Sequence, residues 1–377
     1  KETNKVTSYL AKEFELRKNA EQLKRASIAK TGDLNMSKLF SYKFNEDIFK
    51  KVTIVPGGKS HGLILFLDWS GSMHQHIENT VKQLISLVMF CKKVNIPYEV
   101  YAFRQAETNS EERGYKTQFK ENDLDVSGFS LLNLLSSRMS AKDFTYAASA
   151  LVYMSKRVRY VPYWLSMGGT PLNESVICAM EIVPKFQKQY KLQIVNTVFL
   201  TDGEGHSNRD YYSTDENGNR VYKNFGRYTC EGIMNIVMTD PVTRKQESMG
   251  NAWRSSDQTD ALIKLLKYRT NCNVLGFYVL SGRDFGRVCY KFFPQVQSWE
   301  HGTLKADFRK NKYMVVTNAG FDEYYLLRSE ALNTEDEAEL TVKENATTRG
   351  LVSAFTKYAG NRVSSRVVLN RFIGLIS

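Results

Sequence analysis

Two kinds of apolar pattern follow one another along most of this chain. Short, nearly continuous apolar runs are typical of strands buried on both faces, and longer stretches with an apolar residue every third or fourth position are typical of amphipathic helices. The predicted strands are Leu63–Leu67, Tyr98–Phe103, Ile194–Leu200, Asn273–Leu280 and Lys312–Thr317. The predicted helices are Ile77–Val94, Ala141–Met154, 171–190, Asp260–Tyr268 and Phe285–Phe293. This alternation predicts an α/β fold, a Rossmann-like doubly wound and mostly parallel sheet with helices on both faces.

The alternation does not extend over the whole chain. Residues 1–32 predict a polar, basic helix, and residues 1–59 are expected to form a helical arm with a linker. Residues 60–320 carry the main domain, and Phe129–Leu135 within it fits either a short strand or a helical turn. Residues 321–377 are expected to be a carboxyl-terminal extension with an acidic loop (Glu335–Glu339) and a final helix (Leu351–Leu375).

Residues 204–257 interrupt the main domain. Turn sequences such as Asp215-Glu216-Asn217-Gly218 and Thr239-Asp240-Pro241 alternate with β-prone pieces such as Arg220–Lys223 and Ile233–Met238. Turn residues between β-prone segments favour antiparallel pairing. The sequence therefore predicts a β-hairpin insertion beside the end of the strand that precedes Asp202.

Composition narrows the class of protein. The 377 residues include 42% hydrophobic ones, which suffices for a large core, and the formal net charge is +12. The positive charge concentrates at the two ends, where a solvated basic helix face is favoured over a nucleic-acid site. The five cysteines are widely spaced, so free thiols in a reducing cytoplasm are expected rather than disulfides. No segment has the length and apolarity of a membrane span, and a signal-peptide core is absent from the start of the sequence.

The most informative chemistry follows the first strand of the main domain. That strand ends on Asp68-Trp69-Ser70-Gly71-Ser72, so a carboxylate and two hydroxyls share one tight loop. Oxygen ligands of this kind suit a hard divalent cation such as Mg²⁺, with Mn²⁺ and Ca²⁺ as alternatives. The competing interpretation is a strand-to-helix turn in which Ser70 or Ser72 is only a helix N-cap.

Two further loops are predicted to meet the first one. Gly168-Gly169-Thr170-Pro171 precedes a helix, with Pro171 at its first position and Thr170 as its expected N-cap, and Thr201-Asp202-Gly203 follows another strand. Carboxyl ends of parallel strands lie at one edge of a sheet, which is where ligands bind in such folds. Asp68, Ser70, Ser72, Thr170 and Asp202 are therefore the candidate metal ligands. Each loop is an ordinary turn when taken alone.

The ordered set Asp68-x-Ser70-x-Ser72, Thr170 and Asp202 resembles the metal-ion-dependent adhesion site of von Willebrand factor type A domains. The resemblance covers roughly residues 60–320 and implies a Rossmann-like sheet. It also implies a Mg²⁺ ion with Ser70, Ser72 and Thr170 as direct ligands, and with Asp68 and Asp202 often acting through water. An open coordination position on the metal would be filled by an acidic side chain of a partner protein.

Within that family the chain resembles the CobT subunit of aerobic cobaltochelatase and its bacterial and bacteriophage relatives. The resemblance rests on Gly-Gly-Thr-Pro-Leu-Asn-Glu (168–174), on the basic arm and on Phe40-Ser41-Tyr42-Lys43-Phe44. It implies a non-catalytic subunit that works with an AAA+ ATPase ring of the MoxR/CobS type. The chain itself has no phosphate-binding Gly-x-x-x-x-Gly-Lys-Ser/Thr loop. The insertion at 204–257 departs from the chelatase subunit, so cobalt insertion is not implied.

Two other functions remain open at the sequence level. A metal-dependent hydrolase would use Asp68 and Asp202 to activate water, with His74, His76 or His206 as candidate bases. A Ro-like RNA-binding module would suit the basic charge and would bind with a steep salt dependence. Around the metal, Glu174, Gly169 and His206 are candidates for the second shell or the rim of the site, although Glu174 near a helix start also has a structural role in meeting the helix dipole.

Overall fold

The computed structural model describes residues 60–106, 120–206 without 127, and 208–224 without 209 and 219. It also describes 236–249, 255–332 without 282, 283, 294, 297–299 and 317–319, and 367–376. Ahead of these lie residues 11, 14 and 15 and the segments 27–34 and 49–54.

The strands and helices follow in chain order. The first half contains β1 (Ser27–Leu34), β2 (Phe49–Ile54), β3 (His61–Asp68), α1 (Ile77–Lys93), β4 (Tyr98–Gln105), β5 (Phe129–Ser136), α2 (Ala141–Lys156), α3 (Leu172–Tyr190) and β6 (Ile194–Thr201). The second half contains β7 (Asp210–Thr214), β8 (Arg220–Asn224), β9 (Val237–Thr239), β10 (Gln246–Ser248), α4 (Ser255–Thr270), β11 (Asn273–Leu280), α5 (Phe285–Phe292), α6 (His301–Asn311), β12 (Tyr313–Val316), β13 (Glu323–Arg328) and α7 (Val367–Ile376).

Seven strands form one central sheet in the order β12-β13-β11-β6-β3-β4-β5. The five inner strands are parallel, and β12 and β5 pair antiparallel at the two edges. The inner strands β3, β6 and β11 are buried over almost their full length, which matches their continuous apolar runs. The predicted α/β fold with a mostly parallel, doubly wound sheet is confirmed.

The side chains of β3 show how the two faces of the sheet are covered. Leu63, Leu65 and Leu67 join one apolar cluster with residues of α1 and α2, whereas Ile64 and Phe66 join a second cluster with residues of α3 and α4. Successive side chains of a strand point to opposite faces, so one apolar run fills two cores. A third cluster packs α5 and α6 against the β11–β13 side of the sheet.

The insertion contains antiparallel hairpins, as predicted. One pairs β7 with β8, and the other pairs β9 with β10. A β-bridge between Leu124 and Tyr211, with backbone hydrogen bonds between Tyr212 and both Asn122 and Asp123, joins the first hairpin to the loop that precedes β5. The insertion therefore lies beside the carboxyl edge of the sheet, where β6 ends.

The prediction of a helix through residues 27–32 is wrong. Residues 27–34 form β1, which pairs antiparallel with β2 from Ser27 opposite Ile54 to Leu34 opposite Phe49. The β-branched run Val52-Thr53-Ile54 supplies the partner strand, and a pairing partner some twenty residues away can override a local helical preference. Ala11, Phe14 and Glu15 are helical, and the rest of the predicted arm lies outside the described residues.

The ambiguous segment Phe129–Leu135 is a strand, β5. The final helix is present as α7, and the part of its predicted range before Val367 lies outside the described residues, as does the acidic loop Glu335–Glu339. Helix α6 and strand β13 were not predicted from the sequence. Across the described residues, none of the helices combines the length and apolar character needed to cross a bilayer.

Candidate metal centre

Asp68, the last residue of β3, lies at the bottom of the candidate site. Its carboxylate is fully buried, and one of its oxygens, Oδ2, accepts a 2.7 Å hydrogen bond from the Thr201 hydroxyl at the end of β6. The other oxygen, Oδ1, is buried and has no hydrogen-bond partner. A buried carboxylate oxygen without a donor is costly, and a bound cation or an ordered water would relieve that cost.

A chain of oxygen atoms connects the first loop to the third. The hydroxyls of Ser70 and Ser72 lie 3.0 Å apart, and the Ser72 hydroxyl donates a 2.8 Å hydrogen bond to Oδ1 of Asp202. Asp202 lies 130 positions after Ser72 in the sequence. Adjacent pairing of β3 with β6 brings the two loops together, as the parallel topology predicted.

The second loop, which carries Thr170, contacts both the first and the third loops. A parallel bridge joins Ser70 to Gly168, and the amide of Gly71 donates to the Gly168 carbonyl at 2.8 Å. Thr170 is buried, and its hydroxyl lies 3.8 Å from where a side chain on Gly203 would begin. All five predicted ligand residues therefore come from three loops that contact one another at the carboxyl edge of the sheet.

None of the three hydroxyls caps a helix. Helix α3 begins at Leu172 with Pro171 as its N-cap residue and without a side-chain cap, so the predicted capping role of Thr170 is wrong. The short 3₁₀ turn Ser72–Gln75 likewise begins after Gly71 without a side-chain cap. The Thr170 carbonyl instead accepts from the amides of Leu172 and His206. The alternative in which Ser70 or Ser72 is an N-cap is therefore not supported.

The two glycines before Thr170 allow the second loop to approach strand β4. A side chain at Gly168 would begin 2.5 Å from the carbonyl oxygen of Gln105, and one at Gly169 would begin 2.3 Å from the Gln105 side chain and 2.6 Å from the His206 ring. Both distances are below van der Waals contact. Gly168 faces a backbone carbonyl, so glycine is required there by space, whereas a side chain at Gly169 would displace the Gln105 and His206 side chains. Gly169 thus belongs to the rim of the site, beside His206.

The pKa values of both acidic residues of the site are raised. Burial, reinforced by the neighbouring charge of Asp202, raises the pKa of Asp68 to about 7 against the lowering effect of the Thr201 hydrogen bond. Burial also raises the pKa of Asp202, although the Ser72 hydrogen bond and His76 lower it in part. The ion pairs of the described residues include neither carboxylate. This arrangement favours a positive charge between them.

Behind Thr170, a buried polar network fixes the start of α3. Glu174 accepts a 2.7 Å hydrogen bond from the Asn208 side chain, and its second oxygen is buried without a partner. Burial raises the pKa of Glu174. The Asn173 side-chain amide donates to the His206 carbonyl at 3.1 Å, and its oxygen accepts a hydrogen bond from the Thr259 hydroxyl at 2.6 Å. Glu174 thus lies behind the ligand loops, and the network ties the insertion to them.

The three histidines considered as bases differ in their exposure and contacts. His206 donates its backbone amide to Thr170 at 3.2 Å and rests its ring against Gly169, at the rim. His74 is exposed, and His76 is half-buried near Asp202. Thr201 and Asn208 were not predicted as site residues, because their importance depends on contacts with residues more than thirty positions away. The Thr201-Asp202-Gly203 motif contained the only available signal for Thr201.

The donor set fits a hard divalent cation. Two carboxylates and three hydroxyls lie on three loops that contact one another, and exposed Ser72 and half-buried Asp202 leave the site open to solvent. Mg²⁺ binds oxygen ligands and commonly keeps several waters, so it needs few protein oxygens. The described residues contain no cluster of three or more His, Cys, Asp or Glu side chains that could hold a metal.

Comparison with known proteins shows neither a family nor a function. No protein family model matches the chain, and no curated protein matches it. Among solved structures, the pilus adhesin SpaC from Lactobacillus rhamnosus GG, in an open conformation, is 12% identical with a TM-score of 0.36 over 81% of this chain and 31% of that one. The type V pili tip protein Mfa5 from Porphyromonas gingivalis, in a structure of its three N-terminal domains, is 8% identical with a TM-score of 0.23 over 44% of this chain and 23% of that one.

The human COPII-coat protein Sec24c is 8% identical with a TM-score of 0.25, over 69% of this chain and 33% of that one. Each match thus spans a third or less of the structure it is compared with. These likenesses are too weak to show a family. Conclusions about function therefore rest on the arrangement of the chain's own residues.

Proposed function

We propose that this protein is a Mg²⁺-dependent protein-interaction module of the von Willebrand factor type A kind. Ser70, Ser72 and Thr170 would hold the ion directly, and Asp68 and Asp202 would supply the negative charge. When bound, the ion would supply an open coordination position for the carboxylate of a partner. The observation that carries this proposal is that the three loops bearing these oxygens contact one another beside buried Asp68, whose Oδ1 has no hydrogen-bond partner.

The composition of the site favours capture over catalysis. In this proposal only neutral hydroxyls would bind the ion directly, and the two carboxylates would act through water. The ion would then be less neutralised than by direct carboxylate ligands and would attract an external anion. A hydrolase would need a general base within hydrogen-bond reach of a metal-bound water. The ring of His206 instead rests against Gly169 at the rim, and His74 faces solvent.

We further propose that the partner is an AAA+ ATPase ring of the MoxR/CobS type. Support for this step comes from the sequence, through Gly-Gly-Thr-Pro-Leu-Asn-Glu at 168–174 and the metal-site motif. In this arrangement the ring would hydrolyse ATP, and the present chain would transmit the resulting motion to a substrate or a third subunit. Its own residues would bind and orient the partner.

Metal binding is tested by thermal unfolding with and without Mg²⁺. A ligand at about 100 times its dissociation constant stabilises the folded state by about 2.7 kcal/mol, which is readily measured as a rise in Tm. We expect the wild-type chain to show this rise and Asp68→Asn and Ser70→Ala to lose it. Ser86→Ala is the matched control, because Ser86 is buried and donates only to the Lys82 carbonyl of its own helix. An unchanged Mg²⁺ response in Ser70→Ala would rule out the site.

Partner binding is tested with a purified MoxR-type ring. We expect the ring to be retained on the immobilised full chain in Mg²⁺ and ATP, and to be lost with EDTA or in Asp68→Asn. Retention of the ring by Asp68→Asn at wild-type levels would show that the metal site does not mediate the contact.

A further inference from the structure

Exposed aromatic side chains concentrate on one segment of the protein. Eleven large hydrophobic side chains are exposed among the described residues, and five of them lie between positions 146 and 164. These five, which we call the aromatic ridge, are Tyr146, Tyr153, Tyr160, Tyr163 and Trp164, each with more than half of its surface exposed. A cluster of this kind on a surface marks an interaction site more often than scattered single residues do.

The ridge follows one face of α2 and continues along the chain beyond it. Tyr146 and Tyr153 are seven positions apart, so they lie on the same helical face, opposite the buried residues Phe144 and Leu151. Two short 3₁₀ turns, Val158–Tyr160 and Tyr163–Leu165, then carry the remaining three aromatic side chains. The ridge is therefore a continuous stretch of chain that ends just before the Gly168-Gly169-Thr170 loop.

The end of the ridge is fixed directly to the candidate metal centre. The ring nitrogen of Trp69, from the Asp68–Ser72 loop, donates a 2.8 Å hydrogen bond to the Leu165 carbonyl. The buried guanidinium of Arg104 donates to the carbonyls of Tyr163 at 3.2 Å and Ser166 at 2.8 Å. These bonds use backbone atoms of the turn, so the side chains of Tyr163 and Trp164 remain exposed on a preorganised support.

The charge on this surface is positive. Between positions 138 and 166 there are five basic residues and one acidic residue, Asp143. Arg138 pairs with Glu99 and Lys156 pairs with Glu78, so the excess positive charge comes from Lys142, Arg157 and Arg159. Arg104 adds a buried guanidinium whose hydrogen bonds go to carbonyls and a hydroxyl. Aromatic side chains interleaved with basic ones suit an acidic ligand that also offers apolar or backbone groups.

We propose that the aromatic ridge is the second half of the interface and that it binds an extended acidic segment of the partner protein. This inference rests on the proposed function, since the same segment would present one carboxylate to the metal and pack its flanking residues on the ridge. Tyr153 favours a peptide over a single-stranded nucleic acid. The Arg157 guanidinium lies 4.8 Å over the Tyr153 ring and donates to its hydroxyl at 2.7 Å, so a stacked base would have to displace Arg157 from this face.

The probe is a fluorescein-labelled peptide of alternating aspartate and leucine, whose binding to the full chain is followed by fluorescence polarisation in Mg²⁺ and in EDTA. A triple variant, Tyr160→Ser with Tyr163→Ser and Trp164→Ser, tests the ridge. We expect a loss of affinity of about tenfold or more, since exposed aromatic anchors carry a large share of interface energy. Tyr268→Ser with Tyr290→Ser is the matched control, because both tyrosines are exposed elsewhere.

Failure of the ridge and failure of the metal site give different results. If the triple variant binds the peptide as the wild type does while its Mg²⁺-induced rise in Tm persists, the ridge proposal is overturned and the metal site stands. If Ser70→Ala and the wild type behave alike in Mg²⁺ and EDTA while the triple variant loses the peptide, the metal proposal fails and the ridge stands. Absence of peptide binding by the wild type, or ridge-dependent preference for an oligothymidine probe, would also overturn the ridge proposal.

Discussion

Thr201 shows at the residue scale how one hydroxyl supports the whole site. It is the donor to Oδ2 of Asp68 and also contacts the Gly203 carbonyl and amide at 2.9 and 3.1 Å, so it orients both the carboxylate and the Asp202 loop. Groups that orient metal ligands commonly contribute about 10- to 100-fold in metal affinity. We expect Thr201→Val to weaken Mg²⁺ binding by about that factor, as measured by calorimetric titration.

The matched control for Thr201→Val lies on the same strand. Thr197 is also buried on β6, and its hydroxyl is 3.5 Å from the sulfur of Cys272, away from the candidate ligands. Thr197→Val should therefore leave Mg²⁺ affinity close to that of the wild type. Equal losses in the two variants would mean that strand packing, and not the bond to Asp68, controls the site.

Gly168 provides a steric test of the second loop. A methyl group there would begin 2.5 Å from the backbone carbonyl of Gln105, which belongs to strand β4 and cannot rotate away. We expect Gly168→Ala to displace the loop carrying Thr170 and to reduce the Mg²⁺-induced rise in Tm. Gly302→Ala is the control, because nothing lies within 4 Å of a methyl group at that position. A full Mg²⁺ response in Gly168→Ala would show that metal binding does not depend on the close approach of this loop to β4.

At the scale of elements, the sequence predicted the central strands and the flanking helices well because both carry strong periodicity. The continuous apolar run Leu63–Leu67 is typical of a buried strand. The parallel topology then places the motif residues that follow it at the carboxyl edge of the sheet. Strand β1 was missed because its partner β2 lies outside any local window. Thr170 was assigned as a helix cap because Thr-Pro is a common helix start, although the helix begins two positions later.

An ion pair between Arg371 and Glu323 connects the last described helix to the sheet. Its contribution to stability is testable at the scale of elements. Arg371 of α7 contacts both oxygens of Glu323 on β13, with its Nε 2.6 Å from Oε2. The hydrogen bond from Arg371 lowers the pKa of Glu323. The stabilisation is therefore present above the unfolded pKa of about 4.3 and is lost as the pH falls through the lower folded value.

Glu323→Gln isolates this contribution. Because Arg371 is partly exposed, solvent screens the pair, and we expect a loss of about 0.5–1 kcal/mol in the free energy of unfolding at pH 7. The difference from the wild type should shrink as the pH is lowered below about 4. Urea unfolding at a series of pH values measures it. A difference that stays constant down to acidic pH would assign the effect to packing instead of charge.

At the scale of the whole molecule, the net charge of +12 and the candidate metal centre predict different kinds of binding. A basic surface that neutralises many phosphates loses RNA affinity by about three orders of magnitude or more between 50 and 200 mM salt. A carboxylate held by a metal ion at a partly buried site is screened much less. The salt dependence of binding therefore separates an RNA-binding module from a metal-dependent protein-interaction module.

We expect the dissociation constant for a MoxR-type ring to change by less than about tenfold over that salt range, because a single metal–carboxylate contact and the aromatic ridge release few counterions. The same complex should dissociate when EDTA removes Mg²⁺ at constant ionic strength. Surface plasmon resonance with the immobilised full chain measures both responses. A steep salt dependence together with indifference to EDTA would mean that the positive charge of the molecule, and not the oxygens around Asp68, selects the partner.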